Sequence, residues 1–385
     1  MEYEIMFKDE ILSISKKIYE FAELGSEEFK SSKLLVDSFR KHGFDVQYPY
    51  LGMETAFKAE FGVGVPVVGL LAEYDALPNG HSCGHNLISA WAYGTAICLS
   101  NIIKKGKIVV FGAPAEEGRG KYAGSKAIMA KNGAFKDIDF VIGMHPDDRW
   151  RVGSKTLADI TLEVVFKGKT AHMADSPQEG ANALDAAVMS YVGINNLRSW
   201  IKIDKHAVIG MIFKEGGTAT NIVPDRVVME IDLRSSVSEF LRVLENKVEN
   251  VIMNIGKAYG VEVTIKEITP LYEDYKSNRV INNLLETSLK KINITPENLD
   301  LELSLASGSS DEANVSKVVP TGHIDIEVGF KNIAGHSDDF REAVNPDRAG
   351  ENLFKGIAVS IDTIIEIFNQ PSLLYKIKED YASYH

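Results

Sequence analysis

Cysteine is nearly absent from this sequence: Cys83 and Cys98 are the two in a chain of 385 residues. A disulfide framework is excluded on that count. Basic residues are in deficit, 42 Lys and Arg against 54 Asp and Glu, for a formal net charge of −12. That balance argues against nucleic acid or an acidic membrane surface as a partner, because both call for a basic face. No uninterrupted apolar run reaches the length needed to span a bilayer. The opening stretch, "MEYEIMFKDEILSISKKIYEFAELG", lacks the basic start and apolar core of a signal peptide. The expectation is therefore a cytoplasmic protein. A chain this long is expected to divide its core between two domains.

What is present is ordered along the chain. The first 25 residues read as an amphipathic helix closed by Gly25, and "SSKLLVDSFRKHG" as a second helix ending at Gly43. "VPVVGLLAEYDALP" reads as a buried strand running into a turn, "ISAWAYGTAICLSNII" as a helix, and "KIVVFGAPAEEG" and "FVIGMHPDD" as strands with polar ends. Strands alternating with helices predict an α/β domain around a mixed, largely parallel sheet, with its site beyond the carboxyl ends of the strands. From about residue 157 to 268 the pattern changes to strand–helix–strand–strand–helix–strand, as in "ADITLEVVFKGKTAH" and "RVVMEIDLRSS". This predicts an inserted α+β layer, a sheet covered on one face by two helices. Residues 1–156 and 269–385 then form the α/β domain.

The chemistry crowds into a few places. "GHSCGHNL", residues 80–87, sets His81, Cys83 and His85 within five positions between glycines. A thiol among imidazoles is a plausible transition-metal ligand set. Asp75 precedes it, and Glu116 with Glu117, His145 and His336 sit at other expected strand-to-loop junctions. Each has an ordinary alternative. Paired glutamates are commonly a solvated loop, a histidine before proline can shape a turn, and "AGHSDDF" can be a helix start capped by Ser337. Together, at the ends where an α/β site forms, they make a shell of thiolate, imidazole and carboxylate.

In order, "AEYDALPNGHSCGHNL", "PAEEGRGK", "MHPDD", "GKTAHMADSPQEGANALDAA", "TNIVPD" and "AGHSDDF" resemble the motifs of the M20 metallopeptidases. They look most like the cysteine-bearing amidohydrolase branch, which includes aminoacylases and aminobenzoyl-glutamate hydrolases. The resemblance runs from about residue 70 to 342. It implies two divalent metal ions (zinc, manganese or cobalt) at Cys83, His85, Glu117, His145 and His336, with Glu116 as catalytic base and Asp75 in support. His81 matches no ligand position, which leaves it a supporting or loop-shaping role. The insertion matches a lid and dimerisation domain, so a homodimer is expected, and His172 matches a histidine that reaches a partner subunit's active site. Asn221 and Arg234 are candidates for holding a substrate carboxylate; for Arg234 a surface ion pair is an equal alternative.

The expected reaction is hydrolysis of the amide bond of an N-acyl amino acid or small dipeptide by a metal-activated water. Deacetylation of an N-acetyl diamino acid is a variant. A catalytically silent binder of amino-acid conjugates is the competing class, against which Glu116 stands. A serine hydrolase built on Ser307 or Ser309 lacks the strand–turn–helix elbow such a nucleophile needs. "SGSSDEANVSKVVP", residues 307–320, resembles a loop of the aminobenzoyl-glutamate and β-alanyl-lysine hydrolases, and departs from the glutamate-bearing version of the auxin-conjugate hydrolases.

Overall fold

The computed structural model describes residues 5–201, 206–302, 306, 308–329 and 331–383; Ser307 lies outside them. In chain order the strands are β1 (Asp45–Gln47), β2 (Phe57–Val63), β3 (Val67–Glu73), β4 (Gly106–Ala113), β5 (Phe140–Asp147) and β6 (Arg151–Val152). They continue as β7 (Ala158–Lys167), β8 (Ala207–Glu215), β9 (Arg226–Ser235), β10 (Glu262–Glu267), β11 (Glu297–Asn298) and β12 (Thr321–Glu327). The chain forms two units. One comprises residues 1–155, 275–304 and 311–385, and the other residues 156–274 and 305–310.

Among the described residues of the larger unit, eight strands order as β1-β2-β4-β3-β5-β12-β6-β11. The central four, β4, β3, β5 and β12, are mutually parallel, while β2 runs antiparallel to both its neighbours and β6 runs antiparallel to β12 and parallel to β11. β3 is buried at every position, as a strand covered on both faces must be. The helix His85–Ser100 packs on β3, β4 and β5 and is buried from His85 to Leu99. It begins three residues before the expected "ISAW", which places His85 in its first turn. The first helix is Lys8–Phe21, ending at a left-handed Ala22 ahead of Gly25.

The smaller unit is a four-stranded antiparallel sheet, β10-β7-β9-β8. β7 alternates buried and half-buried residues along its length, the pattern of a sheet with one covered face. Ile160, Leu162, Val164 and Phe166 meet Ala186, Ile194, Leu244 and Val248 from the helices Ala183–Asn196 and Ser238–Tyr259.

Two buried polar groups hold the strand ends that matter. Glu28 Oε1 accepts from Ser26 N (2.9 Å) and Ala115 N (2.8 Å), and its Oε2 accepts from Thr55 Oγ1 (2.9 Å). Ala115 is left-handed (φ 56°), so Glu28 secures the strained turn that leads into Glu116 and Glu117. On β5, Gly143 lies two residues before His145. A Cβ there would sit 2.2 Å from the Glu312 carboxylate. That carboxylate is fixed by Tyr275 Oη (2.8 Å) and His323 Nδ1 (2.8 Å).

Gly143→Ala is expected to destabilise the protein by about 1–3 kcal/mol, the range of overpacking against neighbours that cannot yield; denaturant unfolding measures it. Glu28 gives a pH dependence. Burial, and then the charge of Asp75, push its carboxyl from 4.5 up to about 7. The native state therefore keeps a proton there that the unfolded chain has released. The stability this confers is fully present below about 4.5 and is lost as the pH rises through about 7. Glu28→Gln copies the neutral acid. In chelator, its stability should gain on wild type by roughly 2 kcal/mol between pH 5 and pH 8; a constant difference across that range would show the carboxyl ionising normally.

Candidate metal centre

Parallel strands release their carboxyl ends on one side of a sheet, and here the adjacent strands β4, β3 and β5 do so together. β3 leads to Asp75 and on to Cys83 and His85, β4 leads to Glu116 and Glu117, and His145 lies near the end of β5. The residues between Cys83 and His85 must pass close to that last strand. Gly84 takes φ 80°, and a Cβ on it would lie 2.5 Å from Pro146 and 2.9 Å from Val344. A glycine at this point lets the thiol and the imidazole face the same space.

The geometry draws six residues together. Cys83 Sγ is 3.3 Å from His145 Nε2. His85 Nε2 is 3.8 Å from Glu117 Oε1 and 3.9 Å from Glu116 Oε2. His336 Nε2 is 3.5 Å from Glu117 Oε1. Donor atoms of Cys83, His85 and His145, and separately of Cys83, Glu117 and His336, lie within 4.8 Å of one another. His336 is strained (φ 64°), and its loop is tied down at His336 N→Ser82 O (2.9 Å) and Asn79 Nδ2→His336 O (3.2 Å).

Hydrogen bonds at the far ring nitrogens decide which atoms face inward. His85 Nδ1 donates to Asp75 Oδ1 (2.8 Å), and His145 Nδ1 donates to the Pro146 carbonyl (2.7 Å). Each ring therefore presents Nε2 to the centre, as a metal-binding histidine does. Asp75 Oδ2 also accepts Glu117 N–H (3.1 Å). Burial would raise the Asp75 acid, but the charge and hydrogen bond of His85 hold it below its ordinary range. Burial works against a charged His85, and Asp75 with Cys83 more than compensates, raising it well above the usual histidine value. Burial and then His85 lower His145. Burial also drives the Cys83 thiol and the Glu116 acid upward.

His85 Nε2 and Glu117 Oε1 are buried and have no hydrogen-bond partner among the described residues. Buried polar atoms of this kind cost on the order of 1–3 kcal/mol each unless something satisfies them. A thiol, three imidazoles and a carboxylate converging on such atoms fit divalent metal ions. A nearby cation would also keep Cys83 as the thiolate against the burial that favours the thiol.

His81 is buried and donates through Nε2 to Ile18 O (2.9 Å), anchoring the loop to the first helix. In the smaller unit, His172 and Asn221 are brought together by the bridge His172–Ile222 and by Met173 N→Asn221 O (3.0 Å). His172 Nδ1 accepts from Ala174 N and Asp175 N, which leaves an exposed Nε2–H as its donor. Arg234 lies on β9, its Nε on Asp232 (2.9 Å) and its Nη2 on Asp159 (3.2 Å). A substrate carboxylate would have to compete with both. Four participants were not singled out from the sequence: Glu28, Glu73, Lys126 and Asp311. Glu73, two residues before Asp75 on an extended segment, had a signal in its spacing. The buried Lys126 had none.

Comparison with known proteins agrees with this architecture. The peptidase dimerisation domain matches residues 152–260. The human Xaa-Arg dipeptidase is 32% identical over 391 residues, spanning 96% of this chain and 88% of that protein. A component of the Escherichia coli p-aminobenzoyl-glutamate hydrolase is 31% identical over 317 residues, 76% of this chain and 64% of its own. Among solved structures, a dinuclear metal-binding M20 peptidase from Bacillus subtilis aligns with a TM-score of 0.65 at 20% identity, covering 92% of this chain and 98% of its own. An aminobenzoyl-glutamate utilization protein from Klebsiella pneumoniae aligns at 0.69 and 17%, with the same coverage. The chain belongs to the M20 family of metal-dependent peptidases and amidohydrolases.

Proposed function

We propose that this protein hydrolyses the amide bond of small dipeptides or N-acyl amino acids, with two divalent metal ions held by Cys83, His85, Glu117, His145 and His336. The observation that carries the site assignment is the pair of unsatisfied buried atoms, His85 Nε2 and Glu117 Oε1, facing a thiol and two further imidazoles. The dipeptide reading is supported by the Xaa-Arg dipeptidases of mouse and human, both matched over 96% of this chain. Among the relatives is also an N-acetyl-L-cysteine deacetylase of Bacillus subtilis, 27% identical over 294 residues, which supports N-acyl amino acids as the second substrate class.

When bound, the metal pair would supply Lewis acidity and lower the pKa of the reacting water. The protein's own groups do the rest. Asp75 fixes the orientation of His85 and the backbone of Glu117. Glu116 takes the proton of the attacking water at its carboxylate and returns it to the leaving nitrogen. His172 offers Nε2–H to the developing oxyanion, and Asn221 beside it contacts the substrate.

The protein acts as a homodimer through the smaller unit. β8 is an edge strand with Ile212 and Phe213 exposed, and the helix Ala183–Asn196 exposes Val188, Met189, Tyr191 and Val192. Tyr191 and Phe213 stack at 6.0 Å, making one apolar surface on this unit. An open edge and an apolar patch together suit a second copy. His172 then serves the active site of the partner subunit.

Glu116→Gln should keep its metal by elemental analysis while kcat falls about 10²–10⁴-fold, the share of general base catalysis. A wild-type rate, read on dipeptides and N-acetyl amino acids with manganese, cobalt and zinc in turn, would remove Glu116 from the mechanism. Ile212→Asp, a charge on the β8 edge, should shift the protein from dimer to monomer by light scattering. An unchanged mass would place the interface elsewhere.

A further inference from the structure

We propose that Glu73 is a further carboxylate ligand of the metal centre, held in position by Lys126 and Asp311. The inference rests on the metal-centre reading above. Glu73 is the last residue of β3 and is 3% exposed. Its Oε1 accepts from Lys126 Nζ at 2.6 Å. Its Oε2 is buried, has no hydrogen-bond partner among the described residues, and faces His85 Nε2 at 3.5 Å. That nitrogen is itself unpartnered, and donor atoms of Glu73, His85 and Glu116 lie within 4.8 Å of one another.

Lys126 explains why one carboxylate oxygen is committed and the other is not. The lysine is fully buried, and its Nζ also meets Asp311 Oδ1 at 2.5 Å. Asp311 Oδ2 accepts the backbone N–H of Lys126 (2.9 Å), which fixes the start of the helix Ser125–Lys131. An ammonium anchored at two points holds Glu73 by one oxygen and aims the second at the histidine. If Glu73 served only to neutralise Lys126, Asp311 would already do so, and a second buried carboxylate would add desolvation cost without gain. Glu73 Oε2 and His85 Nε2, both buried without a hydrogen-bond partner among the described residues, face one another at 3.5 Å, and a divalent cation held there would satisfy both. Glu73 would touch the metal, and Lys126 is a positioning residue that acts through it.

The test is metal affinity of the full-length chain. Stripped protein is titrated with Mn²⁺ and with Co²⁺ by calorimetry, bound metal is counted by mass spectrometry, and the visible spectrum of the Co²⁺ form is recorded. Glu73→Gln keeps an acceptor for Lys126 and removes the anionic oxygen. It should weaken one of the two ions by about 10–100-fold or more, alter the Co²⁺ spectrum, and leave metal-free thermal unfolding close to wild type. Glu73→Asp, which keeps the charge and shortens the reach, should weaken the same ion, and carries the test if the glutamine variant does not fold. Lys126→Arg, which keeps the charge but redirects it, should weaken that ion to a smaller extent. Wild-type affinity for both ions with an unchanged spectrum in the Glu73 variants would overturn the inference and leave the five-ligand site standing. A wild-type protein that takes up no metal would overturn both.

Discussion

The bond from His85 Nδ1 to Asp75 is the interaction on which the rest of the centre depends. It settles the tautomer of a fully buried imidazole, turns Nε2 toward Glu73, Glu116 and Glu117, and through Asp75 Oδ2 also fixes the backbone of Glu117. One carboxylate thereby coordinates two separate stretches of chain, the helix after β3 and the turn after β4. Glu28 secures the same turn from the other side through Ala115, so the adjacent glutamates stand on backbone held at both ends. Precision of this kind is what a catalytic constellation requires of its supporting shell.

The fold accommodates an unusual amount of buried charge to achieve this. Glu73, Asp75, Lys126, Asp311 and Glu312 are all nearly or wholly enclosed in the larger unit. Buried ion pairs rarely add net stability, because desolvation cancels most of the attraction. Their presence here is better understood as orientation. Lys126 joins Glu73 to Asp311, and His323 joins Glu312 to Asp325, the residue that pairs in register with His145 on the neighbouring strand. Polar networks with fixed partners confer direction on side chains that apolar packing would leave free to choose among rotamers.

Periodicity made much of this legible. The apolar run of β3, the alternation of β7 and the crowding of thiol and imidazole in "GHSCGHNL" are local signals, and each reports a local cause: burial on two faces, burial on one, and shared chemistry. The start of the helix at His85 was less visible, because nothing in "GHNL" marks a helical first turn; the left-handed Gly84, where a Cβ would strike Pro146, sets it. Lys126 was illegible for a deeper reason. In "YAGSKAIMAKNG" it looks like any solvated lysine, and what buries it is Asp311, 185 positions away. Arg234 shows the reverse: its type suggested a substrate carboxylate, while Asp232 and Asp159 already engage it inside its own unit.

A thiol at this centre has a physical logic of its own. The inward-facing groups are mostly acceptors: Nε2 of His85 and of His145, and oxygens of Glu73 and Glu117. Acceptors facing one another in a dry interior repel unless a proton or a cation stands between them. In metal-free protein a proton can do so, and the upward shift of His85 beside Asp75 is its trace. Metal and proton then compete for the same atoms, because every proposed ligand must be deprotonated to bind. Cys83 sharpens that competition. Its half-buried thiol sits among groups that favour the protonated form, so the energy needed to release the proton would come from the metal–sulfur bond itself. Soft sulfur among nitrogen and oxygen donors strengthens the hold on borderline metals such as zinc and cobalt relative to harder ions such as magnesium, which thiolate serves poorly. As a metal ligand, the cysteine would act as a filter on which cation can displace the protons, a role that a carboxylate at position 83 would not fill.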